Sequence, residues 1–205
     1  STSISATLNG TIALTVETWV KSTIADYTGT NIYNTGSILA NHRPSGATQF
    51  SLRTNGTKYE FFVGVGTYSV LSPANAITPG AWQHIAGVFN GSTIKLYIDG
   101  VLVGTTNTPG YSLSASSEAV HIGNSGYGEQ FNGSIDEVRI WNSILSVDDI
   151  LRRKNCELQG NEAGLYAYYK FNQGVPSGAN TTVTSLTNSS VIAGLNGTLT
   201  NMALT

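Results

Sequence analysis

The chain has 205 residues, a formal net charge of −2 and only 11% charged residues, while 40% are hydrophobic. That is long enough for one large all-β domain with a real core. The longest basic run is Arg152-Arg153-Lys154, which excludes the cationic stripe that a nucleic-acid backbone needs. No apolar stretch reaches membrane-spanning length, so no membrane insertion is expected. The single cysteine, Cys156, excludes an internal disulfide and a cysteine metal cluster, and is expected to be a buried thiol.

In chain order the sequence reads as short strands. Ile12 to Val20 alternates, placing Ile12, Leu14, Val16 and Val20 on one face. Phe50–Arg53 and Tyr59–Val63 flank the turn Asn55-Gly56, and Tyr68–Leu71 follows. Trp82–Phe89 is a longer strand. Ile94–Ile98 and Val101–Val103 surround Asp99-Gly100, the pair favoured where both central residues of a type I′ turn need positive φ. Val120–Gly123, Ser134–Trp141, Leu165–Phe171 and Gly197–Leu204 complete the set. One helix is predicted behind Ser146, with Asp149 at capping-box spacing and Val147, Ile150 and Leu151 as its apolar face. Residues 171–197, rich in Ser, Thr, Asn and Gly, read as a surface excursion of one domain spanning 1–205. Strands with turns between them and a single helix predict a sandwich or jelly roll.

Several of these segments resemble the laminin-G-like jelly rolls of the concanavalin A-like lectin/glucanase superfamily. The likeness is carried by Leu14-Thr15-Val16-Glu17-Thr18-Trp19-Val20-Lys21, Gly80-Ala81-Trp82-Gln83-His84-Ile85-Ala86, Leu96-Tyr97-Ile98-Asp99-Gly100, Phe131 to Trp141, and Leu145-Ser146 with Asp149-Ile150. The tail, with Gly164-Leu165-x-Ala167-Tyr168-Tyr169, is similar to secreted multidomain proteins of Bacteroidetes-type bacteria. The resemblance implies a two-sheet antiparallel jelly-roll sandwich. It also implies a secreted or cell-surface location, with any leader outside this sequence. Such a fold hosts lectins, hydrolases and adhesion domains alike.

Catalysis is not expected. A retaining glycosidase needs two carboxyl groups roughly 5 Å apart, and the Glu-x-Asp-x-x-Glu motif of the superfamily's hydrolases is absent. Asp136 and Glu137 are neighbours, and neighbours on a strand point to opposite faces. No serine sits in a Gly-x-Ser-x-Gly elbow. The expected function is a binding module, first for carbohydrate and alternatively for an extracellular protein, or a spacer. Sugar sites combine aromatic platforms with polar groups; the candidates are Tyr27, Tyr33, Tyr111 and Tyr127, with Glu129 and Gln130 beside the last. His42-Arg43 is a loop pair able to meet an anionic group. Trp19, Trp82 and Trp141 are expected in the core. Calcium is the metal considered, with Asp136 as the candidate ligand because the resemblance places a calcium-binding aspartate there.

Overall fold

The computed structural model describes residues 4–41, 48–64, 67–125, 127–175, 180 and 182–200. The elements are α1 (Ile4–Leu8), β1 (Leu14–Ser22), β2 (Thr35–Asn41), β3 (Phe50–Asn55), β4 (Lys58–Val63) and β5 (Tyr68–Leu71). Then come β6 (Gln83–Phe89), β7 (Thr93–Ile98), β8 (Val101–Asn107), β9 (His121–Ile122) and β10 (Gly133–Trp141). The chain continues through α2 (Val147–Arg153), β11 (Leu165–Tyr169), β12 (Ser185–Leu186) and β13 (Gly197–Thr198). Six strands form one sheet in the order β11-β10-β1-β6-β7-β8, and five form the other in the order β5-β4-β3-β2-β9. Every named ladder is antiparallel, so the expected jelly-roll sandwich is the observed architecture.

The core follows from the period-two alternation of each strand. Leu14, Val16 and Val20 of β1 join Ile85, Phe89, Leu96, Val138 and Ile140 on one inner face, against Phe50, Leu52, Tyr59 and Phe61 on the other. Gly87 leaves room between the sheets for a ring: a Cβ there would lie 2.5 Å from Cγ of Phe61. Ile12, expected on this face, precedes the strand and is 57% exposed.

A second cluster covers the outer face of the six-stranded sheet. Ala86, Val88, Tyr97, Trp141 and Tyr168 pack there with Leu145, Ile150 and Leu158 from α2 and its flanks. The capping box is present: Ser146 Oγ accepts the Asp149 N–H, and Asp149 Oδ2 accepts the Ser146 N–H. Of the expected apolar face only Ile150 is buried; Val147 and Leu151 are exposed. Leu151 instead lies over the turn glycine Gly100. That turn has the expected form, with φ of 53° at Asp99 and 85° at Gly100.

The segment after residue 171 is more than a surface excursion. Leu186 and Leu195 are buried in the main core, and the Tyr169 hydroxyl donates to the Leu195 carbonyl at 2.7 Å. Strand β13 is two residues long, and residues 201–204 of the expected last strand lie outside the described residues.

Candidate functional site on the outer face of the six-stranded sheet

Strand β1 has two chemically different faces. While Leu14, Val16 and Val20 point into the core, Thr15, Glu17, Trp19 and Lys21 alternate on the outer side. Trp19 pairs with His84 of β6. Trp82, two residues before His84, is therefore its diagonal neighbour on the same face, within reach of an aromatic side chain. The expectation that Trp19 and Trp82 are core residues is corrected: Trp82 is 42% exposed and Trp19 is half-buried, whereas Trp141 is fully buried.

On the other side of β1 the ladder to β10 is irregular. Glu17 pairs with Arg139, but Trp19 pairs with Asp136, so β10 carries one residue more than β1 over this stretch. Glu137 sits in the bulge with φ of 53°. Such an insertion re-aims a side chain, and here it turns both Asp136 and Glu137 onto the outer face. The expectation that these neighbours point to opposite faces fails for this reason. Together Trp19, Trp82, Asp136 and Glu137 with Lys154, Asn155, Cys156 and Glu157 line an open cleft of about 420 Å³.

The cleft wall is tied down by hydrogen bonds from the sheet. Trp19 Nε1 donates to the Lys154 carbonyl at 2.7 Å. Arg139 donates through Nη1 to the Arg153 carbonyl at 2.9 Å and through Nη2 to the Cys156 carbonyl at 2.6 Å. Cys156, expected to be buried, is exposed on this wall. Its position just beyond α2 leaves the thiol in solvent, 3.5 Å from the Arg152 carbonyl at the end of the helix.

Beneath Trp19 lies a buried polar network. Glu17 Oε1 accepts from Trp141 Nε1 at 3.0 Å and lies 3.5 Å from Arg139 Nη1, while His84 Nε2 is 3.4 Å from Glu17 Oε2. Burial pushes the Glu17 carboxyl up, but His84, Arg139 and Trp141 outweigh it and hold the group below its ordinary range. The Trp19 ring meets the His84 ring edge-on at 5.5 Å, so the network supports the aromatic floor directly.

Two of the four charged side chains lining the cleft are held in ion pairs. Glu137 Oε2 accepts from Arg139 Nη2 at 2.6 Å and from the Tyr168 hydroxyl. Glu157 pairs with Lys170. Asp136 Oδ1 accepts the Glu137 N–H at 2.8 Å, and partial burial raises its carboxyl above the ordinary range. Lys154 Nζ stands 5.7 Å from the Trp19 ring centre, and Lys21 Nζ 5.2 Å from that of Trp82. Among the described residues no three acidic, His or Cys side chains converge on a metal position; Asp136 is the cleft carboxylate outside any ion pair, and Lys154 stands in the same cleft.

The tyrosines expected to line a site are dispersed. Tyr27 is fully buried, stacked on Phe131 at 6.0 Å, its hydroxyl within 3.1 Å of Ser22 Oγ and accepting the Asn132 N–H. It is a core residue, because the loop carrying it folds back under β1. Glu129 is also buried, accepting from Thr35 Oγ1 at 2.7 Å and Arg53 Nη1 at 3.2 Å. Tyr111 packs edge-on against Tyr68 and Phe89 at the end of the sandwich remote from Tyr27. Tyr33, Tyr127 and Gln130 are exposed, on two loops joined through the Thr35–Glu129 bond. His42 and Arg43 lie outside the described residues.

The family model described as "Concanavalin A-like lectin/glucanases superfamily" matches residues 1–151. The chain belongs to that superfamily. No curated protein matches it significantly. Among solved structures, a Bacteroides ovatus protein provisionally named as carbohydrate binding superimposes with a TM-score of 0.70 at 15% identity, over 93% of this chain and 52% of its own length. The CBM40 of a Ruminococcus gnavus IT-sialidase, bound to α2,3-sialyllactose, gives 0.56 at 18% identity, over 73% of this chain and 89% of that one. A heptameric SAP-like pentraxin from Limulus polyphemus gives 0.54 at 20% identity, over 70% of each chain. At such identities these structures establish the shared fold alone, and the chain spans about half the length of the Bacteroides protein.

Proposed function

We propose that the chain is a non-catalytic, extracellular carbohydrate-binding module that holds a glycan in the Trp19–Trp82 cleft. The observation carrying this reading is the pairing of two accessible indoles on one sheet face with an aspartate and an asparagine in the same cleft. Indole faces cover the apolar C–H faces of a sugar ring, while a few polar groups address its hydroxyls. The non-catalytic part is supported by Glu137, whose carboxylate is already engaged by Arg139 and Tyr168.

The test is a glycan-array screen of the wild-type chain and of Trp82→Ala, repeated in calcium and in EDTA. Trp82 is exposed, so the substitution leaves folding intact. Binding by the wild type that Trp82→Ala loses supports the reading. Retained binding by Trp82→Ala moves the site to the Tyr33–Tyr127 loops, and no binding by the wild type favours an adhesion or spacer domain that contacts protein.

A further inference from the structure

We infer that the cleft selects uncharged sugar residues, with Asp136 accepting their hydroxyl hydrogens beside the Trp19 ring; this rests on the carbohydrate reading above. The inference comes from which charges in the cleft remain available. Glu137 is paired with Arg139 and Glu157 with Lys170. Among the described residues that line the cleft, Asp136 and Lys154 are the two charged side chains outside any ion pair.

Their roles differ. Lys154 stands over the Trp19 ring, where its charge is satisfied by the indole face. Asp136 is an acceptor-only group when ionised, and one of its oxygens takes a single backbone N–H. The other oxygen is left for donors brought by a ligand, and the donors a neutral sugar brings are hydroxyls. A sialic or uronic acid would instead set its own carboxylate near Asp136, and like charges in a partly desolvated site repel. The two cations at hand, Lys154 and Lys21, each stand over an indole ring of the floor. No bidentate guanidinium is free to receive such a group, because Arg139 is buried and both of its terminal nitrogens are engaged, with Glu137 and with the backbone of the wall.

The experiment compares wild type, Asp136→Asn and Asp136→Ala. Each is measured on an array of neutral cello-, xylo-, manno- and arabino-oligosaccharides beside sialyllactose and oligogalacturonides. The wild type is expected to bind a neutral class and not the acidic ones. Asp136→Ala should weaken that binding about tenfold or more, the worth of a hydrogen bond to a charged group. Asp136→Asn keeps an acceptor oxygen, so it should lose less and should tolerate acidic sugars better. Stronger wild-type binding to sialyllactose or oligogalacturonides overturns the inference, as does neutral-glycan binding unchanged in Asp136→Ala. Absence of wild-type binding to every sugar overturns the carbohydrate reading itself, a result distinct from either.

Discussion

The indole nitrogen of Trp19, on the outer face of β1, donates to the carbonyl oxygen of Lys154, just beyond α2, at 2.7 Å. Floor and wall of the cleft are thus joined by a side chain that also presents a ring to it. Trp19→Phe keeps an aromatic ring but removes the donor. We expect a loss of about 0.5–1.5 kcal/mol in urea unfolding, with faster hydrogen exchange at the amides of residues 154–157. An unchanged exchange pattern there would show that Arg139 alone fixes the wall.

The network under the floor makes a pH prediction. Glu17 is held below its ordinary carboxylate range in the folded state, so its contribution to stability is present above the unfolded value. It is lost as the pH falls from about 4.5 through the folded value. Glu17→Gln should remove that part of the acid-unfolding slope. It should also destabilise the protein at neutral pH by about 3 kcal/mol, because Arg139 remains buried with one partner fewer. A parallel acid-unfolding curve for the variant would rule out Glu17 as a source of acid sensitivity.

Between the sheets, Gly87 faces the ring of Phe61. Gly87→Ala puts a methyl group where the ring now lies, and overpacking of this kind costs about 1–3 kcal/mol. Chemical denaturation measures it directly. The double substitution Gly87→Ala with Phe61→Leu should recover part of the loss, since the smaller side chain vacates the contact.

Calcium gives a sharper contrast, because Asp136 was the expected ligand. With its neighbours Glu137 and Glu157 engaged by cationic side chains, the melting temperature should coincide in calcium and in EDTA. A calcium-dependent rise abolished by Asp136→Ala would instead make Asp136 a metal ligand.

The strands and turns were readable from the residues because local chemistry decides them. Asp99-Gly100 requires positive φ at both positions, and Ser146 with Asp149 closes a capping box whatever lies around it. Strand β2 is harder to read because all seven of its residues are buried, which erases the alternation that marks a half-exposed strand. Two features of the cleft are harder to read from the residues. A tryptophan on a strand suggests core, yet Trp19 shares its face with Glu17 and Lys21 while Leu14, Val16 and Val20 hold the other, so the alternation already assigned it to the outer side. The bulge at Glu137 is different in kind. It depends on the register between β1 and β10, and nothing in the run Asp136-Glu137-Val138 announces that both acids reach one face. Loop tyrosines illustrate the converse error: Tyr27 occupies a polar stretch but is covered by contacts made far along the chain.

The family match ends at Leu151, whereas the cleft is walled by Lys154, Asn155, Cys156 and Glu157. The matched part thus supplies the floor, with Trp19, Trp82, Asp136 and Glu137, and the stretch just past it supplies the wall. On the reading proposed above, exchange of those four wall residues would change what the cleft holds while leaving the inner core as it is.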